Sequence, residues 1–265
     1  MQTNLGRESA EGDTLAHEAR LPLMTGRSEL SLLGRFAFSV GGEALPEMSA
    51  GSQRLLAFLA LRRHVMTRAQ VAGTLWPESN DERAGGSLRS AIARLPGPAR
   101  QALRLTTHEL GLDHDKVVVD VHRSYALAHR LIDDDGPPDA WNVGDDGMSA
   151  LSEDLLPGWY DDWALIAAED WRQLRVRALE ALAARLRAAD RLAEAKAAAL
   201  AAVRAEPLRE SARGVLILVH LAEGNETEAV AAFESYRALL QAELRIEPTP
   251  RLRQLLRGNE TGEIP

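Results

Sequence analysis

The chain has 265 residues, 45% of them apolar, a formal charge of −8 and no cysteine. That length suits two ordinary domains. The absence of thiols excludes a disulfide framework, a cysteine nucleophile and any thiolate-ligated zinc or iron–sulfur site. The acidic total argues against a nucleic-acid binder, but its distribution reverses the argument. From Gly51 to Arg104 nine arginines stand against three acids, whereas from Ala126 onward sixteen basic residues face twenty-five acidic ones. A positive field confined to one segment is what a phosphate-docking surface needs. The opening residues lack a basic stretch followed by an apolar one, and no run approaches the length of a membrane span. A cytoplasmic protein without a membrane partner is expected.

Residues 1–27 are polar and carry no sustained period, so a flexible arm is expected there. Leu30–Val40 contains alternation and runs into Gly41-Gly42, which predicts a strand, a turn and a short second strand near Glu43–Leu45. A helix follows from about Ser52 to Arg62, with Leu55, Leu56, Phe58 and Leu59 inward. Thr67 and Gln70 form a capping box for a second helix, Arg68–Leu75, which Trp76-Pro77 closes. Asn80 or Asp81 caps a third helix that reaches Leu95, where Pro96-Gly97-Pro98 stops it. Leu88, Ile92 and Leu95 make its core stripe, and Trp76 is expected in the core beside it.

Arg83, Ser87, Arg89, Ser90 and Arg94 lie mainly off that stripe. Arginines and small hydroxyls are what a helix needs to sit in a major groove, some reaching bases and others phosphates. Arg89 and Arg94 suit base contacts and Arg83 a phosphate, although each also reads as an ordinary solvated arginine. Gly85 and Gly86 weaken the first turns and permit close approach of DNA. Leu103–Thr107 and Lys116–Val121 are strand-like and predict a closing hairpin. Strands, three helices and a hairpin, in that order, make a winged helix, with the hairpin as the wing. The candidate DNA contacts are therefore Arg54, Arg68, Arg83, Ser87, Arg89, Ser90 and Arg94 from the helices, and Arg104 and His108 from the wing.

A bridge is expected from His122 to Leu131, then a surface loop over Asp133–Asp139. Leu155–Trp163 is an apolar knot flanked by acids. Its Trp159, Tyr160 and Trp163 suit helix packing or an aromatic pocket. Helices are predicted at 162–188, 192–205, 208–222 and 226–244. Ala189–Ala195 matches Glu223–Ala229 at an offset of thirty-four residues, the tetratricopeptide period. Such helix pairs stack into a superhelix with a concave face. Adjacent carboxylates such as Asp134-Asp135, Asp145-Asp146 and Asp161-Asp162 lack the spacing of a metal loop, and the histidines are scattered. No nucleophile elbow or phosphate-binding loop is present, so neither an enzyme nor a cofactor is expected.

Two sets of stretches then point to a family. Leu32–Phe36, Gln53–Leu61, Leu75–Glu78 and Ser87–Leu95 look like the strand, helices and recognition helix of one kind of DNA-binding domain. LLPGWYDDWALIAAED, AVRAEPLRESARGVLILVHLAEGNETEAVAAFESYRALL and AELRIEPTPRLRQLL look like signature stretches of an activator domain. Over Leu30–Leu256 the chain resembles the Streptomyces antibiotic regulatory protein family. The resemblance implies a mixed fold: an OmpR-type α/β winged helix at residues 28–121, an all-α tetratricopeptide-like activator domain at 122–257, and a tail at 258–265. It further implies an activator that binds repeated operator sites in double-stranded DNA and contacts RNA polymerase, with homodimerisation left open. A repressor using the same surface, and a helical interaction module carrying a weakened DNA-binding domain, remain as alternatives. Two departures bear on the second of these. Pro96 follows the recognition helix where the family usually continues into another arginine, and Glu109, Asp113 and Asp115 bring negative charge to the wing.

Overall fold

The structure, a computed structural model, describes residues 26–133 and 143–257. The expected arm up to residue 25, the loop from Asp134 and the tail lie outside the described residues.

Two small sheets frame the first half. One has the order β3-β2-β1-β7, built from Ser28–Ser31 (β1), Ala37–Val40 (β2), Glu43–Ala44 (β3) and Val117–Val119 (β7). β1 pairs antiparallel with β2 and parallel with β7. The single strand expected over Leu30–Val40 is thus two strands. The chain reverses at Leu33–Phe36, where Gly34 takes a φ of 70°, a backbone shape that favours glycine. The second sheet, β4-β6-β5, joins Met66–Thr67 (β4), Leu103–Leu105 (β5) and Glu109–Leu112 (β6).

Three helices lie between the sheets. Ala50–Leu61 (α1) is buried continuously from Leu55 to Ala60, because the later helices cover one side and the second domain the other. Each of its large apolar side chains contributes about 1.5–3 kcal/mol on leaving water. Arg68–Leu75 (α2) begins at the expected capping box. The Gln70 N–H donates to Thr67 Oγ1 at 3.2 Å, and the Thr67 N–H donates to Gln70 Oε1 at 3.1 Å. Asp81–Ala93 (α3) is capped by Asn80, whose Oδ1 accepts from the Arg83 N–H at 3.0 Å. Ala84, Leu88, Ala91 and Ile92 bury its inner side, and Ser52 of α1 donates to the Ala91 carbonyl at 2.9 Å. Pro96 does not lead straight into the hairpin. It caps a short helix, Gly97–Gln101 (α4), whose Pro98 stands in the first turn where no N–H is required.

The wing also differs from expectation. β5 pairs with β6, not with Lys116–Val121, so Glu109–Leu112 is a strand rather than a turn. The reversal at Thr106–Glu109 is closed by the Thr106 N–H to the Glu109 carbonyl at 3.0 Å. A second turn at Asp113–Lys116 then sends β7 into the other sheet. Of its three consecutive valines, Val117 and Val119 are buried there and Val118 is partly exposed, beside β1.

The second half is helical. Asp120–Asp133 (α5) replaces the expected bridge and buries Val121, Ser124, Ala128 and Leu131 along one side. Gly144–Ser152 (α6) precedes four long helices, Asp162–Ala188 (α7), Leu192–Ala205 (α8), Glu210–Ala222 (α9) and Glu226–Glu243 (α10), and a last one, Pro250–Arg257 (α11). The repeat is visible in hydrogen bonds. The Arg191 N–H reaches the Leu186 carbonyl at 2.9 Å, and thirty-four residues on the Asn225 N–H reaches the His220 carbonyl at 2.9 Å. Asp190 and Gly224, at the same offset, both have positive φ, 59° and 74°. These are two copies of the left-handed helix termination that satisfies the last carbonyls.

The halves share one core. Leu33 bridges to Leu155, the Leu156 N–H donates to the Leu32 carbonyl at 2.9 Å, and the Gly34 N–H donates to the Asp154 carbonyl at 2.8 Å. The aromatic knot serves as packing at this junction. Phe36 stacks on Trp159 at 6.0 Å, and Trp163 meets the Phe58 ring edge-on at 5.3 Å. Tyr160 remains exposed.

Candidate nucleic-acid interface

α3 presents a polar outer side because its apolar residues are confined to the inner one. At ~100° per residue, Arg83, Ser87, Ser90 and Arg94 form one stripe, and Arg89 stands on the other flank of the solvent side. Arg83, Arg89, Ser90 and Arg94 are exposed, and Ser87 is partly so. None of the three guanidinium groups has an ion pair or side-chain hydrogen bond among the described residues. The Arg89 guanidinium lies back over the two glycines: a Cβ at Gly85 would come 3.5 Å from one terminal nitrogen, and one at Gly86 3.7 Å from the other. Long helical side chains lean toward the N-terminus in this way. A shallow groove between α2 and α3, lined by Arg68, Gly73, Gly85 and Arg89, borders this side.

Arg68 opens α2 beside the wing tip. Its N–H donates to the His108 carbonyl at 2.9 Å and its side chain to the Thr106 carbonyl at 3.3 Å. β4 adds to β6 directly before it, with Thr67 opposite Glu109. The exposed tip carrying Thr106, Thr107 and His108 is therefore tied to the start of α2.

Two predicted contacts are committed elsewhere. Arg54 turns inward and holds the Leu75 carbonyl at 2.6 Å and the Asp161 carboxylate. It links α1, the end of α2 and the start of α7, which is a joint and not a free phosphate ligand. Arg104 donates to Asp113 at 2.9 Å and to Asp115 at 3.1 Å. The hydrogen bond to Asp113 raises the Arg104 pKa, and its counterpart lowers that of Asp113. Lys116 adds a second cation to Asp113 at 3.2 Å. The acids at 113 and 115 thus lie at the base of the wing with cations beside them, leaving Glu109 as the acid next to the tip. Neither pairing is visible locally, because the partners come from the start of a distant helix or from the turn that follows the other strand.

Arg100 is a further cation of the positive segment. It is exposed in the last turn of α4, directly after α3. The Pro98 that signals a helix start is the feature that could have placed it there. Among the described residues no group of histidine and carboxylate side chains could hold a metal ion, and no helix is long and apolar enough to cross a membrane.

Comparison with known proteins adds three findings. The family described as bacterial transcriptional activator domain matches residues 118–258, more than half of the chain. Among solved structures the chain is similar to Mycobacterium tuberculosis EmbR, in a complex with a low-affinity phosphopeptide. The identity is 20%, the TM-score 0.62, and the match covers 90% of this chain and 66% of that one. At that identity the likeness shows the fold: an N-terminal winged helix followed by tetratricopeptide-like helices. The chain spans 66% of the length of that relative. No curated protein matches it.

Proposed function

The chain belongs to the bacterial transcriptional activator domain family, and from that premise we propose that it is a DNA-binding transcription regulator of the Streptomyces antibiotic regulatory type. One observation carries the proposal: the outer side of α3 holds three arginines without an internal partner. α3 enters the major groove of double-stranded DNA. Arg89 and Arg94 reach base edges, Arg83 a phosphate, and Ser87 and Ser90 supply short donors between them. Arg68 and His108, at the seam of α2 and the wing, meet the neighbouring backbone. Arg54 and Arg104 are left out of this interface because internal carboxylates hold them. The stacked helices from α7 onward, in which fifteen basic and fourteen acidic residues nearly balance, engage RNA polymerase or a second copy of the chain. Recruitment to repeated operator sites then raises transcription. No catalytic step is involved.

A small basic surface gives modest non-specific affinity, so a paired copy or polymerase supplies the remainder. The second reading is a helical interaction module with a weakened DNA-binding domain, and the neutralised Arg104 favours it. A repressor would use the same α3 surface.

Selection of a random DNA pool by the purified chain tests the proposal. The expected result is an enriched, repeated motif that Arg89→Ala or Arg94→Ala weakens, each by about 1–3 kcal/mol of discrimination. Absence of enrichment by folded protein contradicts it. Transcription from the selected site in vitro then distinguishes activation from repression.

A further inference from the structure

A cavity of about 370 Å³ lies at the seam between the end of α1, one flank of α5 and the first turns of α7. That size falls within the range of small-molecule sites. Its walls differ in chemistry. The α1 end contributes Arg62 and Arg63, both exposed and without an acidic partner among the described residues. Arg62 is steadied over the Phe58 ring, 5.2 Å from its centroid. The opposite walls are aromatic, Tyr125 from α5 and Trp163 from α7, and Ile166 at the mouth is 65% exposed. His122 is fixed beside them by its Nε2 on the Ala60 carbonyl at 2.8 Å. Trp163 is 7% exposed and closes one side of the cavity. The site thus sets two guanidinium groups without acidic partners against an apolar wall, at a place the DNA-reading surface does not use. Asp170 at its edge opposes a second negative charge.

We propose that this cavity binds a small amphipathic monocarboxylate, with the carboxylate on Arg62 and Arg63 and its aromatic or branched body against Tyr125 and Trp163. Guanidinium groups match a carboxylate in charge and in planar geometry. The cavity draws walls from both domains, so an occupant braces the joint between them. The proposal does not rest on DNA binding.

Calorimetric titration and thermal melting of the full chain test it, with phenylacetate, 4-hydroxybenzoate and indole-3-acetate as probes. Phenylacetamide is the neutral control. At least one of the acids is expected to bind saturably and raise the melting temperature. The amide should bind at least ~10-fold more weakly, and the double variant Arg62→Gln, Arg63→Gln should lose affinity by a similar factor while its own melting temperature stays put. Arg204→Gln, on the exposed side of α8, should bind as the unaltered chain does. No saturation by any of the three acids at millimolar concentration overturns the proposal. So does equal binding of the amide, or full binding by the double variant.

Discussion

The arginines of α3 and those of the interdomain joint have similar sequence surroundings and opposite situations. Arg83, Arg89 and Arg94 project into solvent with no internal partner. Arg54 and Arg175 are drawn into the protein by Asp161 and Asp154. Arg175 is the extreme case: its side chain is 3% exposed, burial lowers its pKa, and two of its nitrogens lack acceptors. The difference shows that a count of basic residues does not locate a nucleic-acid surface. What locates it is which cations the fold leaves unspent. An unspent cation costs nothing to the fold if removed, whereas a spent one is structural.

The sharpest break in that comparison is at Asp154. Asp154→Ala strips a buried guanidinium of its counter-charge, and removing one partner of a buried pair is strongly destabilising. The carboxylate itself is largely solvated, so the cost should fall at the low end, about 3 kcal/mol. Urea unfolding measures it, and Arg175→Met should cost less because it leaves a solvated acid rather than a stranded cation. Next comes Arg54→Ala, which removes a charged hydrogen bond to the Leu75 carbonyl as well as the ion pair. A loss of about 2 kcal/mol is expected. Arg89→Ala should lie within about 0.5 kcal/mol of the unaltered stability.

Smaller effects test the repeat. Gly224 occupies a left-handed backbone at the turn between α9 and α10, so Gly224→Ala should cost about 1 kcal/mol. Asp190 holds the equivalent position thirty-four residues earlier with a side chain in place, and Asp190→Gly should be neutral or slightly stabilising. Melting temperatures of both variants check the equivalence.

Two carboxylates should shape the acid limb of the stability profile in opposite directions. Arg104 holds Asp113 below its usual pKa. Its contribution is present above the ordinary carboxylate range and is lost as pH falls through the lowered value. Asp120 is pushed up by burial, although its carboxylate accepts from the Leu32, Leu33 and Val121 N–H groups. Its folded-state pKa is raised, so its contribution is fullest below the ordinary carboxylate range and declines as pH rises through the raised value. Unfolding free energies of Asp113→Asn and Asp120→Asn, followed across the acidic range, should therefore diverge from the unaltered chain in opposite senses.

Features set by neighbours in sequence were the legible ones. The capping box at Thr67 and Gln70 fixes the start of α2, and the spans of α7 and α8 follow from apolar period and polar turns. The thirty-four-residue offset was readable from a few residues and reappears as matched hydrogen bonds. The wing was not readable. Val117–Val119 is a stronger strand former than Glu109–Leu112, so local propensity selected the wrong partner for β5. Only the parallel pairing with β1, far away in the chain, shows where the valines belong. The helix α5 was a different failure: Val121, Ser124, Ala128 and Leu131 recur at helical spacing, but their mixed polarity hid the stripe. At the interface the outer side of α3 was legible because helical period alone decides it. The loss of Arg54 and Arg104 to internal carboxylates was not, since tertiary contacts supply both partners.

The salt dependence of binding to a selected operator, compared between two double variants, tests α3 as the DNA reader. Arg89→Ala with Arg94→Ala should abolish sequence preference. Arg83→Ala with Arg68→Ala should keep the preference while the slope of log affinity against log salt falls by about 1 for each phosphate contact removed. A slope near zero for the unaltered chain, or an unchanged preference in the first double variant, would contradict the assignment of α3 as the reader.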